Sequence, residues 1–266
     1  MPNLVKKQGE KIPAEKIKVI STRFNLINKA ISREFWLPDS DFRHSMYVGS
    51  YGRNTAISSS DIDILVELPI DLLPQYENLS GNVQSRLLQI VKDSLVITYS
   101  RSDVRADGQV VKIAFSDDTS FEIVPAFKDS SGKYIYPDTN KGGRWRSTNP
   151  KAEQEAMFQK NRESNGLLND TCKHIRSIRD NYFSSYRLSG IVIDSFVYHA
   201  IGNWKWMNSE GCMGTRSDQY ERVLLNYFYR SKVCDGYSIY APGSLDIVQT
   251  RSSCECLEKI LKHIAC

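Results

Sequence analysis

Cysteine is missing from the whole front of the chain. The first is Cys172, followed by Cys212, Cys234, Cys254, Cys256 and Cys266. No Cys-x-x-Cys spacing occurs among them, and a disulfide framework is not expected in a chain of this length without a secretory signal. Long apolar runs are also missing. No segment approaches a membrane span, and Met1 to Gln8 has no apolar signal core. These absences point to a cytoplasmic protein with no membrane partner. Strong charge is absent too: 35 Lys and Arg stand against 31 Asp and Glu, for a net charge of +4. That balance permits anionic ligands such as nucleotides without demanding nucleic acid. There is no internal repeat and no low-complexity segment. What remains is ordinary globular composition, 41% hydrophobic and 25% charged, in a chain long enough for one large domain or two modest ones. Near the C-terminus Cys254, Cys256, His263 and Cys266 cluster and can in principle ligate zinc. Buried free thiols on a terminal helix are the simpler reading.

The most informative stretch runs from His44 to Val66. An apolar run, His44 to Val48, reads as a strand and is broken by Gly49-Ser50. A Ser- and Thr-rich segment follows, and then Asp61-Ile62-Asp63 opens a second apolar run. Alternation along a strand puts Asp61 and Asp63 on one face and Ile62 on the other. Two carboxylates this close repel unless a cation lies between them. Oxygen-only ligands on a rigid strand suit Mg²⁺, which keeps waters and takes further oxygens from substrate phosphates. The Gly49-Ser50 turn offers backbone N–H groups and a hydroxyl to the same phosphates. A bare Asp-x-Asp is usually a solvated strand. The turn and the two flanking strands set this one apart.

The surrounding chain alternates patterns. Pro13 to Phe35 has apolar residues at Ile17, Ile20, Phe24, Ile27 and Ile31, one helical stripe, with Pro13 suited to the first turn. Pro69 to Pro74 reads as a loop. Asn82 to Tyr99 reads as a second helix, with Val83, Leu87, Leu88, Val91 and Leu95 at helical spacing. Val110 to Phe115 and Phe121 to Phe127 form a hairpin around the turn Ser116 to Thr119. In its second strand the acid Glu122 stands among apolar residues, while Asp117 and Asp118 read as turn residues. Tyr134 to Pro137 suggests one more short strand. From Pro150 the texture becomes helical, with helices expected over Lys151–Arg162, Leu167–Tyr182, Ile191–Met207 and Arg216–Arg230. Core packing accounts for most of the aromatic residues in that part.

Gly49-Ser50, a ten-residue spacer and Asp61-Ile62-Asp63 resemble the signature of the DNA polymerase β-like nucleotidyltransferase superfamily. Glu122-Ile123-Val124-Pro125-Ala126-Phe127 is similar to the strand that carries a third acid in one branch of it. That branch, the cGAS/DncV-like (CD-NTase) enzymes, makes nucleotide second messengers, and its bacterial members serve antiphage signalling. Aspartate is common at the third position, so Glu122 is a departure with a longer arm. The segment Trp145 to Pro150 looks like the link from the branch's catalytic lobe to its helical lobe. The resemblance implies an α+β fold in two lobes: a mixed-sheet nucleotidyltransferase lobe with flanking helices over 1–149, and a mostly helical lobe over 150–266. It further implies that Arg176, with Lys173 one turn earlier, reaches the triphosphate, and that Ser195 beside Phe196 touches the nucleotide phosphates.

By that resemblance the chain joins nucleoside triphosphates (ATP, GTP or a pyrimidine nucleotide) into a cyclic di- or trinucleotide. Asp61, Asp63 and Glu122 would hold two Mg²⁺ ions, for which Mn²⁺ can substitute, and Gly49 and Ser50 would carry the phosphates. Glu122 would orient the attacking hydroxyl. A regulatory protein partner fits the branch. DNA activation is not implied, because no zinc-ribbon insertion of the animal DNA-sensing kind is present. The alternatives are a relative that modifies RNA, protein or a small molecule, a non-catalytic nucleotide or RNA binder, and a structural subunit of a larger complex.

Overall fold

The computed structural model describes residues 4–36, 44–207, 219–233 and 238–265. The chain is α+β and divides into two compact units. One comprises Pro13–Gly52 and Ser59–Asn149, and the other Met1–Ile12, Arg53–Ser58 and Pro150–Cys266. A boundary at Asn149 and Pro150 is present, but the division is not a single cut. The first twelve residues and the segment 53–58 group with the helical unit.

The first unit is built on a mixed sheet. Its elements are α1 (Ala14–Phe35), β1 (Ser45–Tyr47), a short helical turn α2 (Gly49–Gly52), β2 (Ile62–Leu68), α3 (Leu73–Glu77), α4 (Val83–Thr98), β3 (Asp103–Asp107), β4 (Val110–Ala114), β5 (Ser120–Lys128), β6 (Tyr134–Asp138) and β7 (Arg144–Thr148). The strand order is β1-β2-β5-β4-β3, with β6 joining the end of β5 and β7 joining β6. Among the described residues only the β2–β5 pair is parallel, which its long connection through α3, α4 and the β3–β4 hairpin allows. One face of the sheet is apolar. Ile62, Ile64, Val66, Val111, Ile113, Phe121 and Ile123 pack there against Ile20, Ile27 and Ile31 of α1 and Leu87, Leu88, Val91 and Leu95 of α4. The opposite face keeps only a small apolar cluster, Leu65, Ala126 and Tyr134. Met46, Val48 and Tyr136 pack against that cluster, and Asp63 and Glu122 share the face.

Local chemistry sets the ends of these elements. Pro13 precedes α1 at φ −57°, and the Trp36 N–H closes the last turn on Ser32 O at 2.9 Å. Asn82 caps α4 by accepting the Ser85 N–H at 3.0 Å. The turn between β4 and β5 is held by Asp117, which accepts the Thr119 N–H at 3.2 Å and pairs with Arg23 at 3.0 Å. Asp118 takes a φ of +59°.

The second unit contains α5 (Pro150–Glu163), α6 (Leu167–Tyr182), α7 (Gly190–Ala200), α8 (Gln219–Ser231), a small antiparallel pair β8 (Ile239–Tyr240) and β9 (Ile247–Val248), and α9 (Cys254–Ala265). Its core joins Leu168, Cys172, Ile175 and Ile178 of α6 to Phe196 and Val197 of α7, Leu224 and Phe228 of α8, and Leu257 and Ile260 of α9. Among the described residues no helix is long and apolar enough to cross a membrane.

The structure departs from the sequence reading at several points. Ile17, placed on the apolar stripe of α1, is exposed. Segment 69–74 is not an open loop, since it holds a 3₁₀ turn at Ile70–Leu72 and the start of α3. β3 and β7 were not anticipated. Both are short and mostly exposed, so they lack the apolar alternation that marks a strand. α7 ends at Ala200, not Met207. Of the terminal cysteines expected as buried free thiols, Cys256 is one but Cys254 is disulfide-bonded; Cys172 on α6 is also a buried free thiol. Among the described residues no cluster suited to a structural zinc forms, and His263 packs against Tyr182 and Phe183. Cys212, Cys234, Cys266 and the helix start at Arg216 lie outside the described residues.

Candidate active site

Strand register gathers the site. In the β2–β5 pair Asp63 lies opposite Glu122, and in the β4–β5 pair Lys112 lies opposite Glu122. Cross-strand partners share a face, so Lys112, Glu122 and Asp63 form a row across three adjacent strands. Their chain neighbours Val111, Ile113, Phe121, Ile123, Ile62 and Ile64 are buried on the other face. The alternation that builds the core therefore presents the row on the polar side. Asp61, two residues before Asp63, falls on the same side, where Ser120 donates its hydroxyl to Asp61 Oδ1.

Lys112 stands among the acids. Its Nζ donates to Glu122 Oε1 at 3.0 Å and lies 3.8 Å from Asp61 Oδ2. The hydrogen bond to Glu122 raises the ammonium pKa above the ordinary lysine value. Partial burial opposes this, and the charges of Asp61, Glu122 and Asp63 add to it.

The chain before β2 closes on the same row. The Val48 N–H donates to Asp63 O at 2.9 Å, and Gly49 follows at φ +57°. A Cβ built on Gly49 would run into the Asp63 carboxylate. Glycine is required here twice over, for the left-handed backbone and for the close approach. Ser50 comes next, in the helical turn α2.

Asp61, Asp63 and Glu122 supply only hard oxygen donors, a set that fits a divalent cation of the Mg²⁺ type. Among the described residues no group of three or more His, Cys, Asp or Glu forms a ready-made cation site. The ammonium of Lys112 lies 3.0 Å from Glu122 Oε1 instead.

The expected contacts on α6 and α7 are placed differently. Arg176 is 1% exposed, and its guanidinium donates to Asp194 Oδ1 at 2.7 Å, Gly190 O at 3.1 Å and Cys172 O at 3.3 Å. Its charge is therefore satisfied inside the helical unit and is not presented to a ligand. Ser195 is 0% exposed, with a buried hydroxyl that has no hydrogen-bond partner. Lys173, one turn before Arg176, keeps partial exposure. Burial lowers its pKa, and Asp170 partly opposes the shift.

Two groups of residues escaped the sequence reading. Arg53 and Thr55, inside the ten-residue spacer, are buried in the helical unit. Arg53 pairs with Asp194 at 2.9 Å and Glu153 at 2.8 Å, and Thr55 donates to Asp194 at 3.0 Å. Burial pushes the Asp194 carboxyl up, but the charges of Arg176 and Arg53 and their hydrogen bonds outweigh it and hold the group below its usual range. A polar spacer gives no hint of such a partner. Lys112 was missed as well, although a lysine at the polar position of Val110-Val111-Lys112-Ile113 falls on the same side as Glu122 and could have been found by alternation.

The sequence and the fold are similar to those of known proteins. Residues 9–161 match the family model of the Second Messenger Oligonucleotide or Dinucleotide Synthetase domain. A probable cyclic nucleotide synthase of Bacillus cereus (strain VD146) is 29% identical over 159 residues, covering 54% of this chain and 47% of that protein. A cyclic AMP-AMP-AMP synthase of Acinetobacter sp. is 25% identical over 208 residues, covering 77% of this chain and 55% of that protein. The chain thus spans about half the length of the curated relatives it matches. In fold it is similar to the Elizabethkingia meningoseptica CdnE cyclic dinucleotide synthase solved with GTP and Apcpp. The TM-score is 0.67 at 12% identity, over 91% of this chain and 89% of that one.

Proposed function

Because the chain belongs to the Second Messenger Oligonucleotide or Dinucleotide Synthetase family, we propose that it is a nucleotidyltransferase that joins nucleoside triphosphates into a cyclic di- or trinucleotide and releases pyrophosphate. The carrying observation is the row in which Asp63 and Glu122 face each other in register, with Asp61 beside them and Gly49 closed against Asp63. We assign Asp61, Asp63 and Glu122 to two Mg²⁺ ions, with Mn²⁺ able to substitute. When bound, such ions neutralise phosphate charge and lower the pKa of an attacking hydroxyl.

The protein's own groups position the reactants. The left-handed turn at Gly49 lets the backbone close against Asp63, where any side chain would clash, and Ser50 adds a hydroxyl. Glu122, at the edge of the acid row, orients the acceptor hydroxyl and accepts its proton. Of the two basic residues expected to meet phosphate, Lys173 retains the exposure to do so and Arg176 does not. By the same family reading the product is a signal in antiphage defence, made in the cytoplasm, and a regulatory protein partner fits.

The test is an incubation with radiolabelled ribonucleoside triphosphates and Mg²⁺, followed by phosphatase and separation of the products. A phosphatase-resistant product made from nucleotides alone supports the proposal. Labelling of an added RNA, protein or small-molecule acceptor without such a product moves the chain to another branch of the superfamily.

A further inference from the structure

We propose that Lys112 is a positioning residue of the acid row, a tethered cation that competes with divalent metal for Glu122 and Asp61 and so sets the metal concentration at which the site fills. The inference rests on the assignment of these acids to metal. Lys112 is placed by register, directly opposite Glu122 on the neighbouring strand. Its ammonium lies 3.0 Å from Glu122 Oε1 and 3.8 Å from Asp61 Oδ2, so one positive charge contacts two of the three acids.

A lysine ammonium and a divalent cation seek the same carboxylate oxygens, and each repels the other at such distances. Metal entry at Glu122 therefore has to displace the Lys112 contact. The lysine can yield. Its side chain is 43% exposed, and its four-carbon stem is flexible. The Lys112 ammonium also offsets the mutual repulsion of Glu122 and Asp61 until metal arrives. Lys112 thus holds the row in place and raises the threshold for filling it.

The experiment is Mn²⁺ binding to the nucleotide-free protein, read from the free-ion signal by electron paramagnetic resonance. Lys112→Met is expected to bind Mn²⁺ about tenfold more tightly than the wild-type protein, and Lys112→Arg, which keeps the charge, close to wild type. Lys133→Met, which removes one exposed charge from the same unit, is expected to leave binding unchanged. Equal or weaker binding by Lys112→Met overturns the proposal, as does an equal gain in Lys133→Met, which would mark a general charge effect. The Asp61→Ala, Asp63→Ala double variant separates the two readings. If wild type, Lys112→Met and the double variant all bind alike, the assignment of the acids to metal fails, and this proposal fails with it. If the double variant alone loses binding and Lys112→Met matches wild type, only the role of Lys112 fails.

Discussion

Glu122, Asp63 and Lys112 are held by backbone register, so their side chains can be exchanged with little effect on the fold. Asp63→Asn is expected to lower nucleotide turnover by roughly a hundredfold or more, because a neutral amide cannot hold the charge that the phosphates require. Its melting temperature should stay close to wild type, as a thermal scan beside the activity assay would show. A large drop in both would mean that Asp63 is structural. Gly49→Ala probes the other side of the row. The new methyl meets the Asp63 carboxylate, and the left-handed backbone costs about 1–2 kcal/mol for a residue with a side chain. Turnover should fall along with stability, and urea unfolding would give the second quantity. At this scale the shared face of the two aspartates and Glu122 was readable from motif and alternation. The burial of Arg176 and Ser195 was not, because a helical stripe gives a residue's angle around the axis but not which neighbour lies on that side.

The elements carry their own charged fastenings. Asp138 at the end of β6 accepts from Arg144 at 2.9 Å, Arg146 at 3.3 Å and Asn140 at 2.7 Å. Burial raises its pKa, but the hydrogen bonds from Asn140 and Arg144 and the Arg144 charge outweigh this and lower it from 3.8 to about 2. A carboxyl depressed in the folded state stabilises fully above its unfolded pKa and loses that contribution as pH falls through the folded one. Wild type and Asp138→Asn should therefore differ in urea stability at neutral pH, and the gap should close between about pH 4 and pH 2. A gap that widens in acid would contradict this assignment. In the helical unit Asp194 is fully buried between Arg53 and Arg176. Asp194→Asn leaves two buried guanidinium groups short of a counter-charge and is expected to cost about 3–5 kcal/mol in an unfolding titration. The helices α1 and α4 were legible because their apolar stripes are long. β3 and β7 were not, being short and held mainly by backbone pairing to a neighbour.

At the scale of the whole molecule the chain makes one excursion that its motif conceals. The acid-bearing strand β2 and the turn at Gly49 belong to the sheet unit, while the spacer residues Arg53–Ser58 group with the helical unit. The spacer is therefore not a slack loop, since buried contacts to Asp194 and Glu153 hold it. The family assignment and the acid row support one central claim, cyclisation of nucleotides, and mass spectrometry of the product tests it most directly. Purified protein would be incubated with Mg²⁺ and all four ribonucleoside triphosphates, beside the Asp61→Ala, Asp63→Ala variant. The expected product has a mass that is a whole number of nucleotidyl residues, with no terminal phosphate and no added water, and is absent from the variant. A linear product carrying a terminal triphosphate, or a product that persists without the two aspartates, would contradict it.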